Sequence, residues 1–182
     1  MNQLENDVER VLISKEEIAA KVQEMAQEMG NFYQGEEVIL VCILKGSITF
    51  FSDLARAVPF PVVYDFMCVS SYGSGTVSGG SVRILKDLTV DITGKNVLVV
   101  EDILDTGNTL SALLVQLQAR RPASLKLCCL LDKPDRRTKP VKADFVGFKI
   151  PDEFVIGYGL DYDERYRQLP YVGVLKHSVY EK

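Results

Sequence analysis

The chain has 182 residues, 47% of them hydrophobic and 25% charged, which is the length and composition of one globular domain. Its 21 basic and 25 acidic residues leave a net charge of −4. That balance excludes an overall cationic surface, and with it duplex nucleic acid as the main partner.

The opening MNQLENDVER has neither a cationic start nor an apolar signal core. The longest uninterrupted apolar run, Val38–Leu44, is far short of the roughly 20 residues that cross a bilayer. A cytoplasmic protein with no membrane partner is therefore expected. Ser14 followed by Glu17 is a capping-box signature. Ile18, Val22, Met25 and Met29 then share one helical face until Gly30-Asn31 ends it. Glu37–Leu44 reads as a fully buried strand, Lys45-Gly46-Ser47 as a short connection, and Ile48–Ala57 as a helix stopped by Pro59. Val62–Ser70 returns as a strand. Between Tyr72 and Ser81 the run YGSGTVSGGS cannot pack a core and predicts a mobile loop. Val82–Leu85 and the residues up to Gly94 predict a hairpin. Asn96–Val100 is a buried strand, Glu101–Asn108 a polar loop, and Thr109–Arg120 a helix. Leu110, Leu113, Leu114 and Leu117 form that helix's core face. Ser124–Leu131 is another buried strand. Beyond it, Ala143–Lys149, Phe154–Gly157 and Tyr171–Leu175 are short strand-like pieces without a long helix. Strands alternating with helices predict an α/β fold, a central and mostly parallel sheet covered on both faces.

The four cysteines (Cys42, Cys68, Cys128, Cys129) sit in apolar, strand-like surroundings with no CxxC spacing. Adjacent Cys128 and Cys129 would face opposite sides of a strand, so packing thiols are expected. The single histidine, His177, has no Cys or His near it and reads as a surface residue.

The chemistry concentrates in VLVVEDILDTGNT, residues 97–109. Ligands of an open parallel sheet bind beyond the carboxyl ends of its strands. Here a buried strand delivers Glu101 and Asp102 to that edge, and Asp105 follows just before a helix. Free N–H groups at a helix start, with Gly107 allowing close approach and the hydroxyls of Thr106 and Thr109 beside it, make an anion cradle. Phosphate beside three carboxylates is awkward unless the ligand also offers hydroxyls or a divalent cation. A sugar phosphate with magnesium meets both demands. Taken alone, Asp102 and Asp105 would be turn and N-cap residues; the acidic pair directly after the strand argues otherwise. No GxxxxGK phosphate loop occurs, and GSGTVSGG lacks the spacing of a dinucleotide fingerprint.

This segment resembles the phosphoribosyl-pyrophosphate (PRPP) motif of the type I phosphoribosyltransferases. LKGS at 44–47, SSYG at 70–73, DKPDRR at 132–137 and DFVGFKIPDEFVIGYGLDYDERYRQLPYVGVL at 144–175 are similar to the hypoxanthine-guanine branch of that family. The resemblance implies one domain over 1–182, with a small hood from the N-terminal segment and about residues 150–182. It implies transfer of phosphoribose from PRPP to hypoxanthine or guanine, with Mg²⁺. Glu101 and Asp102 match the pair that orients the ribose hydroxyls and supports the metal, and Asp105 the general base. Asp105, Thr106, Gly107, Asn108 and Thr109 match the 5′-phosphate loop. Lys45, Gly46 and Arg167 match pyrophosphate contacts, with a non-proline cis peptide before the Lys-Gly pair. Asp161 matches a carboxylate near a second Mg²⁺, its backbone close to the purine. Lys133 matches the donor to the 6-oxo group, Phe154 the stacking ring, Val155 a backbone reader of the base edge, and Ser71-Tyr72 the lid. Glu153 is acidic where some relatives are basic, a change that bears on base preference or subunit contacts. Arg136, Arg137 and Lys139 form a basic cluster expected in a solvated loop or at a subunit contact. The family implies a homodimer or homotetramer. A xanthine-preferring enzyme and a non-catalytic regulator on the same fold are the competing expectations.

Overall fold

In the computed structural model, which describes residues 3–71 and 82–181, a 3-10 turn (Gln3–Asp7) leads into strand β1 (Val8–Ile13) and helix α1 (Lys15–Tyr33). Then come β2 (Val38–Leu44), α2 (Ile48–Ala57), β3 (Val62–Ser71) and β4 (Val82–Lys86). After them β5 (Asn96–Leu104), α3 (Asn108–Gln118) and β6 (Ser124–Asp132) form the central unit. The chain ends with β7 (Phe145–Lys149), β8 (Val155–Ile156), β9 (Val172–Leu175) and α4 (His177–Tyr180). Six strands make one sheet in the order β4-β3-β2-β5-β6-β7, parallel except for β4 at its edge. β1, β9 and β8 make a smaller antiparallel sheet.

The apolar alternation of the large sheet shows why it has helices on both sides. Leu40, Cys42, Leu98, Val100, Cys128 and Leu130 pack with Val22, Met25 and Met29 of α1 and Phe50 and Leu54 of α2. Ile39, Val41, Val97, Val99 and Cys129 pack with Leu110, Leu113 and Leu117 of α3. Strands buried on both faces lose the polar half of the alternation and read as continuous apolar runs. Cys128 and Cys129 divide between the two layers, and all four thiols are free. The smaller sheet has its own apolar cluster, in which Ile156, Tyr166, Leu169 and Leu175 meet Leu4 and Val8 from the other end of the chain. Among the described residues no helix is long and apolar enough to cross a membrane.

Several boundaries differ from expectation. α1 continues past Gly30-Asn31 to Tyr33 and ends at Gln34, which takes the left-handed conformation (φ 50°). Gly30 is there for space, since a Cβ on it would lie 2.6 Å from Pro59 Cγ. β5 runs through the expected loop to Leu104, because β6 extends alongside it and pairs Ile103 with Leu131 and Leu104 with Asp132. α3 correspondingly spans Asn108–Gln118 rather than Thr109–Arg120. Val82–Lys86 pairs with β3 instead of making a hairpin with the residues up to Gly94. β1 has no counterpart in the expectations. The glycine-rich stretch expected to be mobile lies outside the described residues.

Candidate active site

The carboxyl ends of β2 and β5 and the start of α3 enclose a cavity of about 260 Å³ lined by Ile43, Leu44, Glu101, Ile103 and residues 105–110. Glu101 and Asp102 still belong to β5, so the sheet fixes their backbone. Burial, and then the charge of Asp102, pushes the Glu101 carboxyl well above the usual carboxylate range. Burial also raises Asp102, against the opposing pull of Glu101, the Ile103 N–H at 2.7 Å and the charge of Arg167. Two crowded carboxylates of this kind are a hard oxygen donor set that a divalent cation would relieve.

The N-cap residue of α3, Gly107, has no side chain to cap with. Among the described residues the only first-turn N–H taken is that of Asn108, by the Thr106 hydroxyl at 3.3 Å, unlike α1, where Ser14 and Glu17 form a complete capping box. Gly107 has φ 81°, a left-handed turn it makes without a Cβ penalty, and it lines the cavity together with the first turn of the helix. The segment after β6 buttresses this loop. Arg137 donates to the Asp105 carbonyl and pairs with Asp132, while Thr138 and Lys139 N–H groups donate to the Thr106 carbonyl at 3.0 and 3.2 Å. The basic cluster is thus partly structural: the Arg137 side chain is largely buried, not solvated, because two acceptors hold its guanidinium inward.

The Leu44–Lys45 peptide is cis. Gly46 packs so tightly on Asp102 that a Cβ would lie 1.8 Å from its Oδ2. On the other side, Gly159 (φ 104°) abuts the Gly46 carbonyl, where a Cβ would come within 2.0 Å. Close backbone approach therefore joins the Lys45-Gly46 loop to the acidic pair and to the 157–167 segment. Arg167 donates to the Gly159 carbonyl at 2.8 Å and pairs with Asp161 at 2.9 Å. Glu164 links the two cations, 3.1 Å from Lys45 Nζ and 3.2 Å from Arg167 Nη2.

Lys133 is only 7% exposed and donates to the Glu153 carbonyl at 2.6 Å. Burial lowers its pKa, with Asp105 and Asp152 pulling the other way. Next to Glu153, the Phe154 ring remains 39% exposed, and Val155 is buried in β8. Arg136 connects this region to the cavity, with its Nε 3.0 Å from Asp105 Oδ1 and its Nη1 3.3 Å from Asp152. That oxygen of Asp105 accepts no aligned hydrogen bond and is held by charge alone.

The site residues expected from sequence therefore form three linked groups: the acidic strand end with the 105–109 loop, Lys45 with Asp161 and Arg167, and Lys133 with Phe154. Ser71 ends β3, and Tyr72 lies outside the described residues. Sequence reasoning missed the linking roles of Glu164 and Arg136. Glu164 stands three residues before Arg167, a spacing that could have flagged the pair; nothing local ties Arg136 to Asp105. Among the described residues no three acidic, histidine or cysteine side chains cluster to hold a metal unaided. A Mg²⁺ that keeps its waters and takes only one or two carboxylates plus ligand phosphates fits such a site.

A family model described as the phosphoribosyl transferase domain matches residues 11–163. The hypoxanthine-guanine phosphoribosyltransferase of Mycobacterium avium is 51% identical over 97% of this chain and 90% of its own length. The enzyme of that name from Bacillus subtilis is 50% identical, covering 98% of this chain and 99% of its own. Among solved structures, a hypoxanthine phosphoribosyltransferase from Staphylococcus aureus superposes with a TM-score of 0.96 at 49% identity, covering 100% of both chains.

Proposed function

The chain belongs to the phosphoribosyltransferase family, and from that premise we propose that it transfers phosphoribose from PRPP to hypoxanthine and guanine, releasing pyrophosphate. The observation that carries the reading is the union, at one sheet edge, of an acidic strand end (Glu101, Asp102), a helix start with glycine at its N-cap and a converging Lys45-Gly46 loop. The helix start binds a terminal phosphate through its N–H groups, and the acids face the ribose hydroxyls. Beneath an anomeric carbon that becomes electron-poor as pyrophosphate leaves, the same acids stabilise the developing positive charge. Lys45 and Arg167 supply cations for the departing pyrophosphate. Glu101, Asp102 and Asp161 would hold Mg²⁺, which supplies charge neutralisation for the phosphates when bound. Asp105 removes a proton from the purine's imidazole ring while the other ring nitrogen bonds to ribose.

Selection among bases falls to Lys133. An ammonium has donors and no acceptor, so a 6-oxo group satisfies it and a 6-amino group leaves donor facing donor. Purified protein given PRPP, Mg²⁺ and hypoxanthine is expected to form inosine monophosphate and pyrophosphate, with guanine and xanthine run in parallel. No nucleotide from any of the three bases would refute the reading. Lys133→Ala is expected to narrow the preference for hypoxanthine over adenine by about tenfold or more. The ratio of kcat/KM for the two bases measures this, and an unchanged ratio removes the filter role. Charge and composition give no interface, but the family supports a homodimer or homotetramer, which light scattering of the purified chain would decide.

A further inference from the structure

The carboxylate of Glu153 is paired here. Arg10 of β1 places Nη2 2.6 and 2.5 Å from its two carboxylate oxygens. The backbone carbonyl of the same residue holds Lys133 Nζ, and the next residue is Phe154. Phe154 is fixed from the other end of the chain. Its ring stacks on Tyr180 of α4, with centroids 5.0 Å apart and planes 24° from parallel, and meets the edge of Tyr162 at 5.5 Å. Tyr162 and Tyr180 pack against the small sheet's apolar cluster, together with Leu4 and Val8. Tyr180 thus backs the Phe154 ring from the small sheet, while the ring stays 39% exposed.

We propose that Arg10 and Tyr180 are positioning residues of the purine site: the two chain ends converge on Glu153-Phe154 and set where the stacking ring and the Lys133 ammonium stand. This rests on the assignment of Phe154 and Lys133 to the base. Among the described residues, neither makes a hydrogen bond, ion pair or aromatic contact with the phosphate loop or the acidic pair, so their influence is directed at the base. A ring left without its stacking partner samples more orientations, and each one that misaligns it weakens base binding alone. Loss of the Arg10 charge frees the Glu153 side chain and, through the same residue's carbonyl, the Lys133 contact.

The test is steady-state kinetics with hypoxanthine and PRPP varied separately. Tyr180→Ala is expected to raise the KM for hypoxanthine about three- to tenfold, and Arg10→Met about two- to fivefold, with the KM for PRPP unchanged. Tyr180→Phe keeps the ring and is expected to match the parent protein. The charge exchange Arg10→Glu with Glu153→Arg is expected to recover most of the loss seen in Arg10→Met. Should Tyr180→Ala fail to fold, Tyr180→Leu, which keeps bulk without a flat face, takes its place. Equal rises in both KM values would mean general loosening and overturn the proposal. Phe154→Ala separates the two levels. If it raises the hypoxanthine KM while the Arg10 and Tyr180 variants do not, the positioning role fails and the base assignment stands. If it changes nothing, the base assignment itself fails and the proposal with it.

Discussion

Asp105 sits between two arginines that treat it differently. Arg137 grips its backbone carbonyl, whereas Arg136 reaches its carboxylate by charge across 3.0 Å. The backbone is fixed and the side chain is left with a lone pair to use, which suits a base. Asp105→Asn keeps the shape and removes the basicity. We expect kcat to fall about 100-fold or more while the KM for PRPP stays within about twofold; equal losses in the two constants would argue against the base role. Glu164 is the opposite case, a carboxylate whose present partners are cations assigned to pyrophosphate. Hydrogen bonds from Lys45 and then Arg167 hold its carboxyl below the usual range. Any anion arriving at Lys45 and Arg167 has to displace it. Glu164→Gln is accordingly expected to lower the KM for PRPP by about two- to threefold, a small effect because the pair is exposed. A rise in that KM would contradict the competition.

At the level of elements, a helix or strand was legible where its determinants are local. The capping box of Ser14 and Glu17 closes as its spacing implies, with both reciprocal hydrogen bonds made. The apolar run of β2 is buried through Ile43. Long-range determinants were not legible. β1 buries only Ile13 and exists because β9, near the other terminus, pairs with it. β5 outlasts its apolar stretch because β6 keeps supplying hydrogen-bond partners to the polar residues that follow. Gly30 read as a helix stop, yet the helix passes through it under Pro59. A helical Gly→Ala change normally stabilises by about 1 kcal/mol. Here the added methyl meets a stiff proline ring, and Gly30→Ala is expected to destabilise by roughly 1–3 kcal/mol, measurable as a lower urea midpoint. A raised midpoint would show that the contact relaxes freely.

Over the whole molecule, acid stability depends on carboxylates that serve as internal acceptors. Asp65, 2% exposed in β3, accepts from the N–H groups of Phe66, Thr89 and Val90 and so ties the sheet to the 87–95 connection. Burial pushes its carboxyl up, but these hydrogen bonds together outweigh burial and hold it below the ordinary value; Arg120 does the same for Asp87. A pKa depressed by folding stabilises fully above the unfolded carboxylate range and is lost as the pH falls through the folded value. Asp65 and Asp87 therefore contribute steadily down to about pH 5, and the unfolding temperature is expected to drop as the pH falls below about 4. In Asp65→Asn it should start lower at neutral pH and decline less steeply; a decline as steep as the parent's would exonerate Asp65.

The candidate site was legible to the extent that it follows one strand and one helix start, and the motif strings brought in the rest. The links among its three groups were not legible, since Arg136 and Glu164 are ordinary surface charges until the fold places them. The mutual contact of Gly46 and Gly159, with Asp102 beneath, has a consequence for protein engineering. Three segments far apart in the chain meet there, Gly46 against the Gly159 main chain on one side and the Asp102 carboxylate on the other, so a single methyl at either glycine has no room. A combinatorial library meant to widen substrate range should hold both glycines constant. Diversity belongs instead around Phe154, whose ring is partly open to solvent.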